Sequence, residues 1–105
     1  MINWDRISEL QAEVGEDGIS EVIEIFLEEM EEGLEGLSAS SETPEMLERL
    51  HFLKGSAQNI GLDELSSLCA RDEAALKADA TGLVDFQAIK AALSQAKEEL
   101  SALTA

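Results

Sequence analysis

A chain of 105 residues can bury one core without disulfides or a structural metal, and it fits a single domain spanning 1–105. Apolar residues make up 45% of it, which excludes a disordered acidic tail, while 23 Asp and Glu against 7 Lys and Arg leave a formal net charge of -16. Such a surface repels nucleic acid and anionic membranes and suits partners with neutral or basic faces.

The hydrophobic pattern is helical from end to end. Trp4, Ile7, Leu10 and Val14 recur at steps of three and four, which predicts a short first helix ending near Gly15 with Trp4 as a lid on the bundle. Ile19, Val22, Ile23, Phe26, Met30, Leu34 and Leu37 continue the period over about five turns. The opposite face is glutamate-rich, with Glu21, Glu24, Glu28, Glu31, Glu32 and Glu35, so this is a long amphipathic helix with one buried side. Ser38 to Glu42 reads as a loop.

Thr43-Pro44 offers an N-cap followed by proline at the first helical position, and Glu45 and Glu48 favour the helix dipole. Leu47, Leu50, Leu53, Ala57 and Ile60 then form an apolar stripe, with Gly61 as its stop and Asp63 or a neighbour opening the next helix. That helix carries Leu65, Leu68, Cys69, Ala75 and Leu76, and loosens through residues 78–82. The last one runs through Phe86, Ile89, Leu93, Ala96, Leu100 and Leu103. Alternating strand patterns and hairpin dipeptides are missing. The predicted fold is all-α: an antiparallel four-helix bundle with an additional short N-terminal helix.

Cys69 is the single cysteine, so no internal disulfide can form, and its place beside Leu65 and Leu68 makes it a small core hydrophobe. Met1 to Arg6 lacks the basic region and apolar run of a signal peptide, and no apolar run exceeds three residues, far short of a bilayer span. A soluble, cytoplasmic monomer is expected.

The chemistry concentrates in one stretch, His51-Phe52-Leu53-Lys54-Gly55-Ser56-Ala57-Gln58-Asn59-Ile60-Gly61-Leu62. On a helix His51, Lys54, Gly55 and Gln58 share one face, offset from the leucine stripe. A neutral imidazole is a nucleophile near pH 7, and an ammonium beside it can offset charge on transferring phosphoryl oxygens. Gly55 inside a helix costs roughly 1 kcal/mol against alanine. A missing side chain there would let a partner's phosphorylated residue come close. A lone histidine is also, commonly, an ordinary surface residue, and Lys54-Gly55 could be a helix end. The period continuing through Ala57 and Ile60 favours mid-helix, but the residues alone leave the choice open.

The run H-F-L-K-G-S-A-Q-N-I-G-L resembles the signature of the histidine phosphotransfer (HPt) domain family, roughly H-x-L-K-G-[SA]-[AS]-x-x-[IL]-G, at every defining position. The resemblance extends over essentially the whole chain. It implies a four-helix bundle with His51 as an exposed phospho-acceptor, Lys54 as the phosphoryl-stabilising lysine and Gly55 as the clearance position. Members of the family often carry Gln or Glu twenty-two positions after the histidine, here Glu73, whose carboxylate could orient the imidazole. Some carry a basic residue four further on, here Lys77. Gln58 joins the set as a neighbour on the same face.

The resemblance further implies a phosphorelay intermediate, with response-regulator receiver domains and a hybrid sensor histidine kinase as partners. It needs no cofactor of its own, since Mg²⁺ belongs to the partner receiver. No glycine motif for ATP is present, so the chain is a phosphocarrier and not a kinase. Two rivals stand beside this reading. One is an acidic helical interaction module with an idle histidine. The other is a carboxylate–histidine metal-binding bundle, for which Glu48-x-x-His51 supplies only one of the two units such sites need. Phe52, next to His51 and off the leucine stripe, is a candidate partner contact.

Overall fold

The computed structural model describes residues 2–40, 42–79 and 84–104. Ser41 and residues 80–82, read above as loop, lie outside them. Among the described residues five helices follow in order: α1 (Trp4–Ala39), α2 (Thr43–Asn59), α3 (Asp63–Ala78), α4 (Phe86–Glu99) and α5 (Ser101–Thr104). Among the described residues no strand occurs, only an isolated antiparallel bridge between Ile2 and Leu62.

α1 begins where the Asn3 side chain caps it, accepting a hydrogen bond from the Arg6 amide at 3.2 Å. Gly15, at φ 82 and ψ 166, is its one non-helical residue. The short N-terminal helix and the long amphipathic one therefore join end to end, without the three-residue gap the sequence pattern left between Gly15 and Ile19. Only glycine adopts that backbone without strain.

Helix α2 starts one residue earlier than predicted. Glu42 is its N-cap, without a side-chain capping bond, and Thr43 is already helical. Its end is a Schellman turn: the Leu62 amide donates to the Ala57 carbonyl at 2.8 Å and the Gly61 amide to Gln58 at 3.2 Å. Gly61 supplies the positive φ of 74. The N-terminus clips onto this turn, with the Asn3 amide donating to the Gly61 carbonyl at 2.7 Å and Arg6 Nε to the Asn59 carbonyl at 2.8 Å. A Cβ on Gly61 would come within 2.8 Å of the Asn3 carbonyl oxygen.

The core threads all four long helices: Ile19, Ile23, Leu27 and Met30 from α1, Leu50 and Leu53 from α2, Leu65 and Cys69 from α3, Ile89 and Leu93 from α4. Short connections between α1 and α2, and between α2 and α3, make these neighbours antiparallel. Trp4, expected as a lid, is instead 51% exposed, and Val14 is exposed as well. Ile2, Ile7 and Leu10 anchor the N-terminal segment in their place. α4 also stops short of Leu103. Leu100 turns, its amide shared between the Ala96 and Glu98 carbonyls, and Leu103 packs from the separate turn α5.

On α3 the buried face is Leu65, Ser66, Cys69, Asp72, Glu73 and Leu76, whereas Ala75 points outward. Two acids thus occupy positions that the helical period assigns to the core. Asp72 ties α3 to the start of α4. Its Oδ2 accepts the Asp85 amide at 2.9 Å and its Oδ1 accepts Arg71 Nε at 3.1 Å. Asp85 in turn caps α4 through the Ala88 amide at 3.0 Å. The other acid is Glu73.

Candidate functional site

Helix α2 faces inward with Leu50, Leu53 and Ala57, so the residues between them must face out. His51 is one of these, with its side chain 72% exposed. Phe52, beside it, stays exposed but lays its ring over Gly33 of α1, where a Cβ would meet ring carbons at 3.1 Å. The glycine is what lets α2 sit this close to α1 at the level of His51.

The ring of His51 leans toward α3. Its Nδ1 lies 3.1 Å from Glu73 Oε2, a carboxylate only 6% exposed. The other oxygen, Oε1, accepts a hydrogen bond from Lys54 Nζ at 2.5 Å. Lys77 Nζ approaches Oε2 at 3.6 Å from the next turn of α3. A buried carboxylate is costly unless paired. Here the Lys54 hydrogen bond holds Glu73 below the usual carboxylate range against the opposing effect of burial, helped by His51 and the charge of Lys77. Lys54 is 24% exposed and Lys77 63% exposed, so the first is fastened and the second largely in solvent.

Of the sequence candidates, His51, Lys54 and Glu73 converge on one point, with Lys77 at its edge. Gly55 lies within α2, half-buried, and a Cβ there would meet nothing within 4 Å. Gln58 is exposed one turn further on and stands outside the cluster, its backbone carbonyl engaged in the Schellman turn. Asp72 escaped the sequence reading. Its signal was an acid at i+3 from Cys69 on the apolar stripe, but its role is to join helices.

An ionised carboxylate can only accept, so the hydrogen between His51 and Glu73 sits on Nδ1 and the lone pair on Nε2. A neutral imidazole fixed in that tautomer presents its Nε2 as a nucleophile or base. The Cys69 thiol does not compete. Burial, then the charges of Asp72 and Glu73, push it up to about 12, so it stays protonated in the core.

A groove of about 560 Å³ between α1 and α4, lined by Leu34, Phe86 and Leu93 beside the Lys97–Glu31 ion pair, shares no residue with the His51 cluster. Among the described residues, no three His, Cys, Asp or Glu side chains gather as a metal ion would require. Glu48 and His51 both lie on the exposed side of α2. No helix of the described residues is long and apolar enough to cross a membrane.

No curated protein and no solved structure matches the chain. The family model for the Hpt domain does match, over residues 21–104, which takes in all of α2, α3, α4 and α5 and the amphipathic part of α1. A helical bundle with a histidine on its outer face is the architecture that such a match implies, and the chain belongs to the Hpt domain family, whose members carry out histidine phosphotransfer in phosphorelay signalling.

Proposed function

We propose that the whole chain, residues 1–105, is one phosphocarrier domain that takes a phosphoryl group onto His51 from a receiver-domain aspartyl phosphate and passes it to the receiver of a response regulator. The donor receiver belongs to a hybrid sensor histidine kinase. The observation that carries this reading is an exposed imidazole whose Nδ1 is engaged by a buried carboxylate at 3.1 Å, with Nε2 left as the free nucleophilic nitrogen.

Nε2 attacks the phosphorus, the bond from phosphorus to the aspartyl oxygen breaks, and the carboxylate leaves with its electron pair. Such a transfer asks little of the acceptor beyond position and charge. Glu73 fixes the ring, Lys54 and Lys77 supply positive charge for the phosphoryl oxygens, and open space at Gly55 admits the partner's surface. The Mg²⁺ this chemistry uses resides on the receiver, and the carrier works as a cytoplasmic monomer without a cofactor of its own.

Incubation with a phosphorylated receiver domain, followed by mass measurement and an acid-lability test, checks the reading. Label is expected on the wild-type chain and none on His51→Gln, with the helical circular dichroism of both alike because the side chain lies outside the core. Labelling of the Gln variant at the wild-type rate would defeat the assignment. An idle-histidine interaction module predicts no label on either.

A further inference from the structure

The groove of about 560 Å³ between α1 and α4 is built unlike the glutamate-rich surface around it. It is lined along α1 from Glu31 to Ala39, about 12 Å or roughly two turns, and along α4 from Phe86 to Lys97. Its floor is apolar, made by Leu34 and Leu93 from the core and by the half-buried Phe86. Exposed small residues, Ser38 and Ala39 on one rim and Ser94 on the other, let a polypeptide backbone come close.

Charge divides the two walls. Lys90 and Lys97, two of the 7 Lys and Arg in the chain, stand on one face of α4, and Glu31 and Glu35 stand one turn apart on α1. Lys97 and Glu31 neutralise each other across the groove at 2.7 Å, whereas among the described residues Lys90 and Glu35 have no ion-pair partner. An unmatched cation on one wall, an unmatched anion on the other and hydrocarbon between them call for an occupant of the complementary pattern. An amphipathic helix supplies it, with apolar anchors at i, i+3, i+4 and i+7, acids along the flank beside α4 and bases along the flank beside α1. A second copy of this chain does not, since a net charge of -16 repels its like. A fatty carboxylate would satisfy Lys90 and leave Glu35 facing hydrocarbon.

We propose that the α1–α4 groove docks an amphipathic helix of a partner protein, acid flank toward Lys90 and basic flank toward Glu35, and so tethers the carrier while His51 stays open to a receiver. The tethering role rests on the reading of His51 as phospho-acceptor; the docking does not. The order of helices around the bundle permits both at once. α2 and α4 each adjoin α1 and α3, and among the described residues they do not meet each other. His51 leans from α2 toward α3, so the groove lies on the far side of the bundle from the imidazole. A helix held there raises the local concentration of carrier without covering the nucleophile.

The probe is an alanine-based peptide of about four turns with leucines at those anchor positions, glutamates on one flank and lysines on the other. Titrated into the ¹⁵N-labelled chain, it is expected to shift the amides of α1 from Glu31 to Ala39 and of α4 from Phe86 to Lys97, and to leave those of His51, Lys54 and Glu73 in place. The same peptide with both flanks acidic should bind at least about tenfold more weakly, because like charges then face Glu35. Lys90→Glu and Glu35→Lys, both at exposed positions, should each weaken the first peptide about threefold to tenfold, as for an exposed ion pair lost and reversed. Should a charge variant lose its helical circular dichroism, Ser94→Arg, crowding the rim from an exposed position, takes its place with the same expectation. No shifts with the peptide, equal binding of the two peptides, or shifts that follow only octanoate or rising protein concentration overturn the helix as occupant. Transfer from a phosphorylated receiver at an unchanged rate to the peptide-saturated chain supports the tether, and slowed transfer overturns it. A chain that takes no label with or without peptide overturns the tether together with the reading of His51, while the amide shifts still decide the docking.

Discussion

Gly55 lies one helical turn beyond His51, in open space, with no strained backbone to require a glycine. Alanine there should stabilise the protein by up to ~1 kcal/mol through helix propensity and a stiffer unfolded chain. A larger side chain such as Gln should slow transfer from a receiver more than loading from phosphoramidate, since only the receiver must dock. Urea denaturation and paired transfer rates check both halves, and equal slowing with both donors would remove the steric role. Glu73 has a different signature. Its carboxyl titrates lower in the fold than its ordinary value of 4.5, chiefly through Lys54. The unfolded chain therefore binds more protons between those two values, and stability rises with pH across that window. The contribution is complete above about pH 4.5 and is lost as pH falls through the folded value. Glu73→Gln should thus be less stable than wild type near neutrality, with the gap closing in acid. Urea midpoints across that range would show it, and a gap independent of pH would refute it.

Asp72 belongs to the element scale, because its carboxylate holds two helices in register by accepting the first amide of the α4 cap. Asp72→Ala leaves that amide without its partner and should cost about 1–3 kcal/mol, measurable as a lowered denaturation midpoint with helix content retained. A midpoint within error of wild type would mean that water replaces the carboxylate freely. Much of the element plan was legible in the sequence, for a physical reason. Gly15 and Gly61 read as stops because a positive φ is cheap only for glycine, and both have one. The outward face of His51, Lys54 and Gly55 followed from the leucine stripe, since a helix with one buried side has little choice about the other. What stayed hidden needed tertiary partners. Trp4 fits the apolar period but lies at the rim, where Ile2 already covers the core. Asp72 and Glu73 break the stripe of α3, and only the neighbouring helices show that one ties an element and the other meets an imidazole.

The whole molecule carries a net charge of -16 on an envelope of 44 × 22 × 19 Å, so its surface groups repel one another. Raising NaCl from about 0.01 M to about 0.15 M shortens the screening length from roughly 30 Å to roughly 8 Å. The melting temperature should rise over that range, and a fall would mean that attractive pairs such as Lys97–Glu31 outweigh the repulsion. Mild acid relieves the same repulsion, opposite in sign to the loss at Glu73, which is why the Gln variant is the reference for the acid titration. The break at Gly15 has a further consequence for how the bundle opens. Residues 2–14 are joined to the bundle by one non-helical residue and clipped to the α2–α3 turn through Asn3 and Arg6. Such a segment can detach as its own cooperative unit, at a lower free energy than global unfolding. Its amides should exchange with deuterium ahead of those in α2 and α3, and the same opening would unseat the clip on the turn that closes the helix of His51.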